Sequence, residues 1–379
     1  MSLTDLDIGF YRSIRSIRFP LRRLTVLVGG NGVGKTNLYR ALELIRAAAT
    51  GDLTMALARE GGLASAMWAG PRRAGEAPRL RFEIGLDTAL DGDAHSGFSP
   101  RYAVEVGFGD HKYQAVFADE PQVKAESLIL PGRRAVTLLE RRGPSAWYRD
   151  ETGHRRQLEA PLLASETALS ALRGTLPELD AVRHLLTSWR FYHGFRTDAD
   201  SPLRRPALAV TAPMLDADGA NLGAVFATLA HIRQDTEDLD AAIHQAFPGA
   251  RIDIPEPGRN AHFSMIFPDL PHRPFGPAEL SDGTLQFLAL LGALLAYRAP
   301  PFIALNEPET SLHPDLLPAL ARAIARAAER SQVWVVTHST ILADAIAEET
   351  GTQPRQVIRR DGGGTWIDGL SEIGLFPED

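Results

Sequence analysis

The chain contains three lysines, Lys35, Lys112 and Lys124, against 37 arginines, and one of the three stands where an arginine would serve poorly. Lys35 closes the run Gly29-Gly30-Asn31-Gly32-Val33-Gly34-Lys35-Thr36. That run matches G-x-x-x-x-G-K-[ST], a pattern that shuffling this composition would produce about 0.002 times per chain. Glycines in such a loop let successive backbone N–H groups converge on a phosphate. The ammonium of Lys35 is a compact point charge for β and γ phosphates, and the Thr36 hydroxyl is a ligand for Mg²⁺. The chemistry indicated is the binding of a nucleoside triphosphate.

Three further segments carry groups that could act on such a phosphate. The apolar run Pro301-Phe302-Ile303-Ala304-Leu305 ends in Asn306-Glu307-Pro308-Glu309-Thr310-Ser311-Leu312-His313-Pro314. An acid at the C-terminal end of a buried strand beside a phosphate loop is placed to hold metal and to polarise water, so Glu307 is the candidate general base. Leu280-Ser281-Asp282-Gly283-Thr284 precedes a strongly apolar helical stretch over 285–296, with Ser281 as a natural N-cap; an ordinary capped core helix explains this equally well. Val333-Trp334-Val335-Val336 ends in Thr337-His338-Ser339, and a lone histidine at a strand end is more often structural than chemical.

The positioning elements are short β-branched strands. Leu24-Thr25-Val26-Leu27-Val28 reads as a buried strand, and residues 37–49 read as a helix. Strand, glycine loop and helix start supply what phosphate binding needs, because the helix N-terminus adds partial positive charge.

Order and spacing raise the weight of the weaker signals. Glu307 follows Ser281 by 26 residues and His338 follows Glu307 by 31. Taken together, GGNGVGKTN, LSDGT, EPETSLHP and VVTHS resemble the ABC-type ATPase head, and more closely its RecF/SMC-like branch among single-chain bacterial ATPases of AAA or ABC type. The resemblance implies that residues 29–37 (Gly29, Gly30, Asn31, Gly32, Val33, Gly34, Lys35, Thr36 and Asn37) form Walker A and bind ATP. It implies that residues 280–284 form the ABC signature, Ser281 and Gly283 touching the γ-phosphate bound by a second subunit. Glu307 matches the catalytic glutamate, residues 310–313 the D-loop at a dimer seam, and His338 the switch histidine. ATP would be sandwiched between two copies of the chain. Where the family carries aspartate before the glutamate, this chain has Asn306. With Thr36 it is the expected Mg²⁺ contact, but it lacks negative charge, so Mg²⁺ is held less tightly and hydrolysis is expected to be slow. The glutamine of the family's Q-loop is not placed; Gln114, Gln122 and Gln157 are the candidates.

Signature and phosphate loop are 246 residues apart, more than a compact head requires, so something is inserted. Prolines from Pro177 to Pro277 exclude a long coiled coil. Alternating segments between 79 and 117 suggest an antiparallel sheet, and residues 159–247 turn helical, with apolar spacings of three and four over 168–172, 179–189 and 222–247. The expected fold is α/β: a P-loop NTPase head of ABC type with a flanking antiparallel β arm and an inserted, mainly helical lobe. Residues 1–157 and 265–379 would form the head and its β arm, and 158–264 the lobe. Seven arginines over 133–156, with Trp147 and Tyr148 among them, give a local balance of +4. That conceives a nucleic-acid surface, although a solvated hairpin in an arginine-biased chain is the plainer reading. Arg12, Arg15 and Arg18 are candidates to flank adenine, and the aromatic run over 189–195 reads as core.

Composition closes off other classes. The chain has 379 residues, a net charge of −7 and no cysteine, which removes thiolate catalysis, disulfides and cysteine-ligated metals and makes any nucleic-acid binding a matter of local patches. Neither a signal-peptide pattern nor a run of 18 apolar residues occurs, so a cytoplasmic address and no membrane contact are expected. The expectation is an ATPase using ATP and Mg²⁺, dimerising with itself on ATP and acting as a switch in DNA maintenance or defence, with DNA or a protein partner meeting the inserted lobe. Rival readings are a nucleotide-gated binding module with little turnover and an ATPase subunit of a transporter, the latter disfavoured by the long insertion.

Overall fold

The computed structural model describes residues 2–377 except 74, 88–98, 110–116, 118, 151, 159–161 and 361. Lys112 and the Q-loop candidate Gln114 therefore lie outside the described residues. The chain forms two compact units: Met1–Arg22, Gly29–Trp189 and Gln356–Asp379 make the first, Arg23–Val28 and Arg190–Arg355 the second. Of the segment 158–264, the described residues up to Trp189 belong to the first unit and the remainder to the second.

The first unit is built on an eight-stranded antiparallel sheet. In spatial order its strands are Ile14–Pro20, Ser2–Tyr11, Arg79–Asp87, Arg101–Gly107, Gln122–Leu130, Val136–Arg142, Ser145–Arg149 and Arg155–Gln157. Period-2 alternation decides its faces. Leu80, Phe82, Ile84 and Leu86 are buried, with Val104 opposite Phe82 and Tyr102 opposite Ile84 in register. On the other face Arg81 meets Asp7 at 2.9 Å, and Arg101 bridges Asp5 and Glu83 at 2.8 and 2.7 Å. Helix Lys35–Thr50 buries Leu38, Leu42 and Ile45 and packs with helix Pro177–Thr187. Glu126, 2% exposed, accepts from the Tyr102 hydroxyl and from the amides of Ala168 and Leu169. Burial pushes its carboxyl up, against the pull of those donors.

The sequence's basic stretch falls on the last three strands of this sheet. Arg142 and Arg155 both pair with Glu140, Arg156 pairs with Asp150, and Arg155 stacks over Trp147 at 4.7 Å. Arg141 is buried and donates to the carbonyls of Gly143, Leu163 and Glu166, so it is a structural cation and not part of a surface patch.

The second unit holds four parallel strands in the order Arg190–Tyr192, Phe302–Asn306, Gln332–Thr337 and Leu24–Val28. The last three are wholly buried, which is why they read as unbroken apolar runs and not as alternating ones. Register pairs Asn306 with Val336 and Thr337 with Val28, so the C-terminal ends of the three strands lie side by side. Helix Asp282–Leu294 is buried on every side from Thr284 onward. Helix Leu317–Arg330 is amphipathic, facing inward through Leu320, Ile324 and Ala327. The stretch of helical spacing over 222–247 forms two helices, Leu222–Thr228 and Glu237–Ala246, with a wide turn at Leu229–Arg233 and Gln234 left-handed at φ 57° between them. On either side of the interruption Thr228 donates its hydroxyl to the Ala224 carbonyl, and Thr236 bonds the Asp240 carboxylate as a new acidic first turn begins. Trp189 and Tyr192 are buried, as a core reading of that aromatic run requires.

Candidate functional site

In the first unit the glycine loop has the geometry its sequence demands. Gly32 and Gly34 are left-handed, at φ 76° and 102°. A Cβ on Gly34 would sit 1.9 Å from Thr365 Oγ1, and one on Gly29 would meet the Val357 carbonyl at 2.6 Å, so neither position admits a side chain. Helix Lys35–Thr50 starts with no side-chain cap and no acid in its first turn, leaving the positive end of its dipole for an anion. Lys35 is 4% exposed, and its Nζ donates to the carbonyls of Gly29 and Gly30 at 2.6 and 2.8 Å. The loop thus holds the ammonium beside its own N–H groups.

Two residues that sequence reasoning missed brace this loop. Thr365 Oγ1 donates to the Val33 carbonyl at 2.8 Å and lies 2.6 Å from Ser13 Oγ, which in turn accepts from Asn37 Nδ2 at 2.7 Å. They come from the two far ends of the chain, and no local pattern announces them. The arginines read as candidates for adenine are each occupied: Arg12 by Glu60, Arg15 by Glu76 and Arg18 by Asp5.

The second unit gathers the acids and the histidine. Asn306, 1% exposed, ends its strand with Nδ2 bonded to His193 Nδ1, while Oδ1 is buried with no hydrogen-bond partner among the described residues. Glu307 follows in the left-handed region at φ 51°, its N–H donating to the Val336 carbonyl at 2.7 Å. Its half-buried carboxylate makes no hydrogen bond with any described residue. Glu309 is buried, and its Oε1 accepts from Thr337 Oγ1, His338 N and Ser339 N at 2.6, 2.9 and 3.1 Å. His338 follows strand Gln332–Thr337, its ring half exposed. Sequence reading passed over Glu309 and His193. The doubled acid in Glu307-Pro308-Glu309 was a signal for the first; His193, at the end of an edge strand within an aromatic run, gave none.

Ser281 caps helix Asp282–Leu294, accepting from Thr284 N at 3.2 Å, and its residue is exposed. A Cβ on Gly283 would come 2.8 Å from the Ser311 carbonyl, and Ser311 is itself left-handed at φ 67°. Arg204 gathers the approach to this helix. It donates to the carbonyls of Thr197, Pro277, Ala278 and Leu280 and pairs with Asp282 at 2.6 Å.

No group of three or more His, Asp or Glu side chains that could hold a metal occurs among the described residues. Within the second unit, the Asn306 carbonyl oxygen is an uncommitted oxygen donor of the kind Mg²⁺ accepts. No helix of the described residues is long and apolar enough to cross a membrane.

A glycine loop after a buried strand, parallel strands ending in an acid and a histidine, and an antiparallel sheet are the parts of a P-loop head of the ABC type. Its fold is that of an Smc head bound to the C-winged helix domain of ScpA, with a TM-score of 0.54 at 14% identity over 98% of this chain and 99% of the other. It is also that of an Smc head domain with an extended coiled coil bound to the C-terminal domain of ScpA, derived from Pyrococcus furiosus, at 0.52 and 12% over 98% and 96%. The sequence model described as "AAA domain, putative AbiEii toxin, Type IV TA system" matches residues 24–344, and the chain belongs to that family. No curated protein sequence matches the chain. Family membership and the ABC-type fold support a nucleotide-binding ATPase.

Proposed function

We propose that the chain binds ATP with Mg²⁺ on Walker A, residues 29–37, and hydrolyses it slowly as one half of an ATP-sandwiched homodimer. In this reading Lys35 and the loop amides hold the β and γ phosphates, and Glu307 polarises the attacking water. His338 contacts the γ-phosphate and senses its loss. Mg²⁺, held by Thr36 and Asn306 together with the phosphates, would neutralise charge on the triphosphate. Ser281 and Gly283 would meet the nucleotide of the second subunit, with residues 310–313 at the seam. A γ-phosphate caught between two helix starts gains contacts that ADP cannot make, and that differential affinity is what a nucleotide switch requires.

The observation that carries the reading is Glu307. It is a residue in a backbone conformation that L side chains rarely adopt, at the end of a buried parallel strand, with its carboxylate uncommitted. Strain of this kind, on the order of 1–3 kcal/mol, persists where it serves a site. The test compares Mg-ATP turnover and nucleotide binding in wild type, Lys35→Ala and Glu307→Gln. Lys35→Ala should lose binding, and Glu307→Gln should bind ATP without turning it over. Wild-type turnover no greater than that of Lys35→Ala would remove the ATPase reading.

Asn306 favours a second reading, a nucleotide-gated binding module with negligible turnover, because an amide holds a divalent cation less firmly than a carboxylate. The wider role follows the family resemblance: a switch in DNA maintenance or defence in the cytoplasm, with an inserted lobe at 158–264 passing the movement to DNA or to a protein partner, as ScpA partners the two Smc heads.

A further inference from the structure

We propose that Glu309 is a positioning residue that fastens the acidic turn to the histidine turn and fixes the proton of His338 on Nδ1. The proposal rests on the reading of His338 as the γ-phosphate contact.

The side chain of Glu309 is 6% exposed, and a buried carboxylate is costly unless donors compensate it. Compensation is concentrated on one oxygen. Oε1 takes the Thr337 hydroxyl and the amides of His338 and Ser339, at the N-terminus of helix Thr340–Thr350, where the helix dipole adds to the attraction. The backbone on both sides of His338 is thereby tied to a residue two positions after Glu307. A second tie, Glu307 N to the Val336 carbonyl, runs in parallel. Candidate base and candidate switch are carried by turns that these bonds tie to each other.

The same oxygen lies 3.1 Å from His338 Nδ1. A ring nitrogen presenting a lone pair to a carboxylate at that distance is repelled, whereas one presenting N–H is attracted. Glu309 therefore selects the Nδ1–H form and turns Nε2 to the half-exposed side of the ring. Oε2 has no hydrogen-bond partner among the described residues, so the charge is not shared with any group other than those on Oε1. A capping role alone needs an oxygen acceptor and no charge, which glutamine would supply; the proposal requires the charge.

The experiment uses the full chain and two readouts. Ring ¹⁵N NMR at alkaline pH, with the His338 signals identified by their loss in His338→Gln, should report Nδ1–H in wild type and mainly Nε2–H in Glu309→Gln and Glu309→Ala. Steady-state turnover should fall about 10-fold in Glu309→Gln and about 100-fold in Glu309→Ala, with ATP affinity measured by titration unchanged within about threefold. An unaltered tautomer in Glu309→Gln, or a glutamine variant with wild-type kcat, would reduce Glu309 to a cap and overturn the proposal. So would a loss of ATP affinity matching the loss of turnover. Glu309→Gln keeps the oxygen acceptor and decides the matter even where the alanine variant fails to fold. If wild type itself does not hydrolyse ATP, the functional reading falls, and the tautomer still decides the role of Glu309.

Discussion

At the residue scale the informative position is Asn306. Its carbonyl oxygen is buried and uncommitted while its amide is tied to His193, so an aspartate there would place a full charge where a dipole now stands. Asn306→Asp should lower the Mg²⁺ concentration giving half-maximal turnover and raise kcat several-fold, read from Mg²⁺ titrations of ATPase rate. A second prediction concerns Glu43, on helix Lys35–Thr50. Burial pushes its carboxyl up to about 7, with Glu60 adding to the rise and Arg40 and Arg46 opposing it. A carboxyl raised in the folded state releases its proton first from the unfolded chain, so stability falls as pH climbs from the ordinary carboxylate range to about 7. Glu43→Gln should remove that slope. Melting temperatures of the two proteins should agree at pH about 4 and separate in favour of the variant at pH about 8.

At the element scale, loops and helix starts are set by contacts from elsewhere in the chain. Gly34→Ala would force a Cβ into a left-handed position already filled by Thr365 Oγ1. The cost is about 1–3 kcal/mol in backbone strain before the clash is counted. ATP affinity should drop at least tenfold, with a lower melting temperature, whereas Thr365→Ala should lose the brace and keep measurable binding. Arg204 has the corresponding part at the start of helix Asp282–Leu294. Arg204→Met keeps the apolar stem but strands carbonyls of Thr197, Pro277 and Leu280 that it now satisfies. These contacts are part-buried, so water recovers some of the loss, and the cost of each falls below the roughly 1–3 kcal/mol of a fully buried group. Calorimetry should show the destabilisation. Light scattering with Glu307→Gln in the background should show weakened ATP-dependent dimerisation at an unchanged monomer affinity for ATP.

At the scale of the whole molecule the prediction is assembly. Glu307→Gln with saturating ATP should elute and scatter as a dimer, and with ADP as a monomer; a monomer under both conditions would sink the sandwich. The basic stretch over 133–156 needs a narrower trial than its sequence suggested. Reversing Arg141 would break three internal hydrogen bonds, so of the four arginines over 133–142 the charge reversal uses Arg133, Arg134 and Arg142. Loss of a salt-dependent DNA affinity in that triple variant is the outcome expected of a phosphate-tracking surface.

Much of this architecture was legible because its signals are local. A glycine loop ending in Lys35 and Thr36 follows from the chemistry of phosphate and from chain shuffling, and buried parallel strands show as unbroken apolar runs at 24–28, 302–306 and 332–337. Alternation marked the antiparallel strands Arg79–Asp87 and Arg101–Gly107 for the same reason. The helical spacing read over 222–247 gave no sign of the interruption at Leu229–Arg233 and the left-handed Gln234, because the apolar period runs on across it. What the sequence by itself determined was therefore the class of fold and the place of the glycine loop that ends in Lys35 and Thr36. Only the tertiary structure decided that Ser13 and Thr365 brace that loop, that His193 orients Asn306 and that Glu309 grips the turn carrying His338. Those partners are separated by 352, 113 and 29 residues along the chain. Hydrogen bonds across such distances depend on how strands are ordered and registered in space, and no periodicity in the sequence records that.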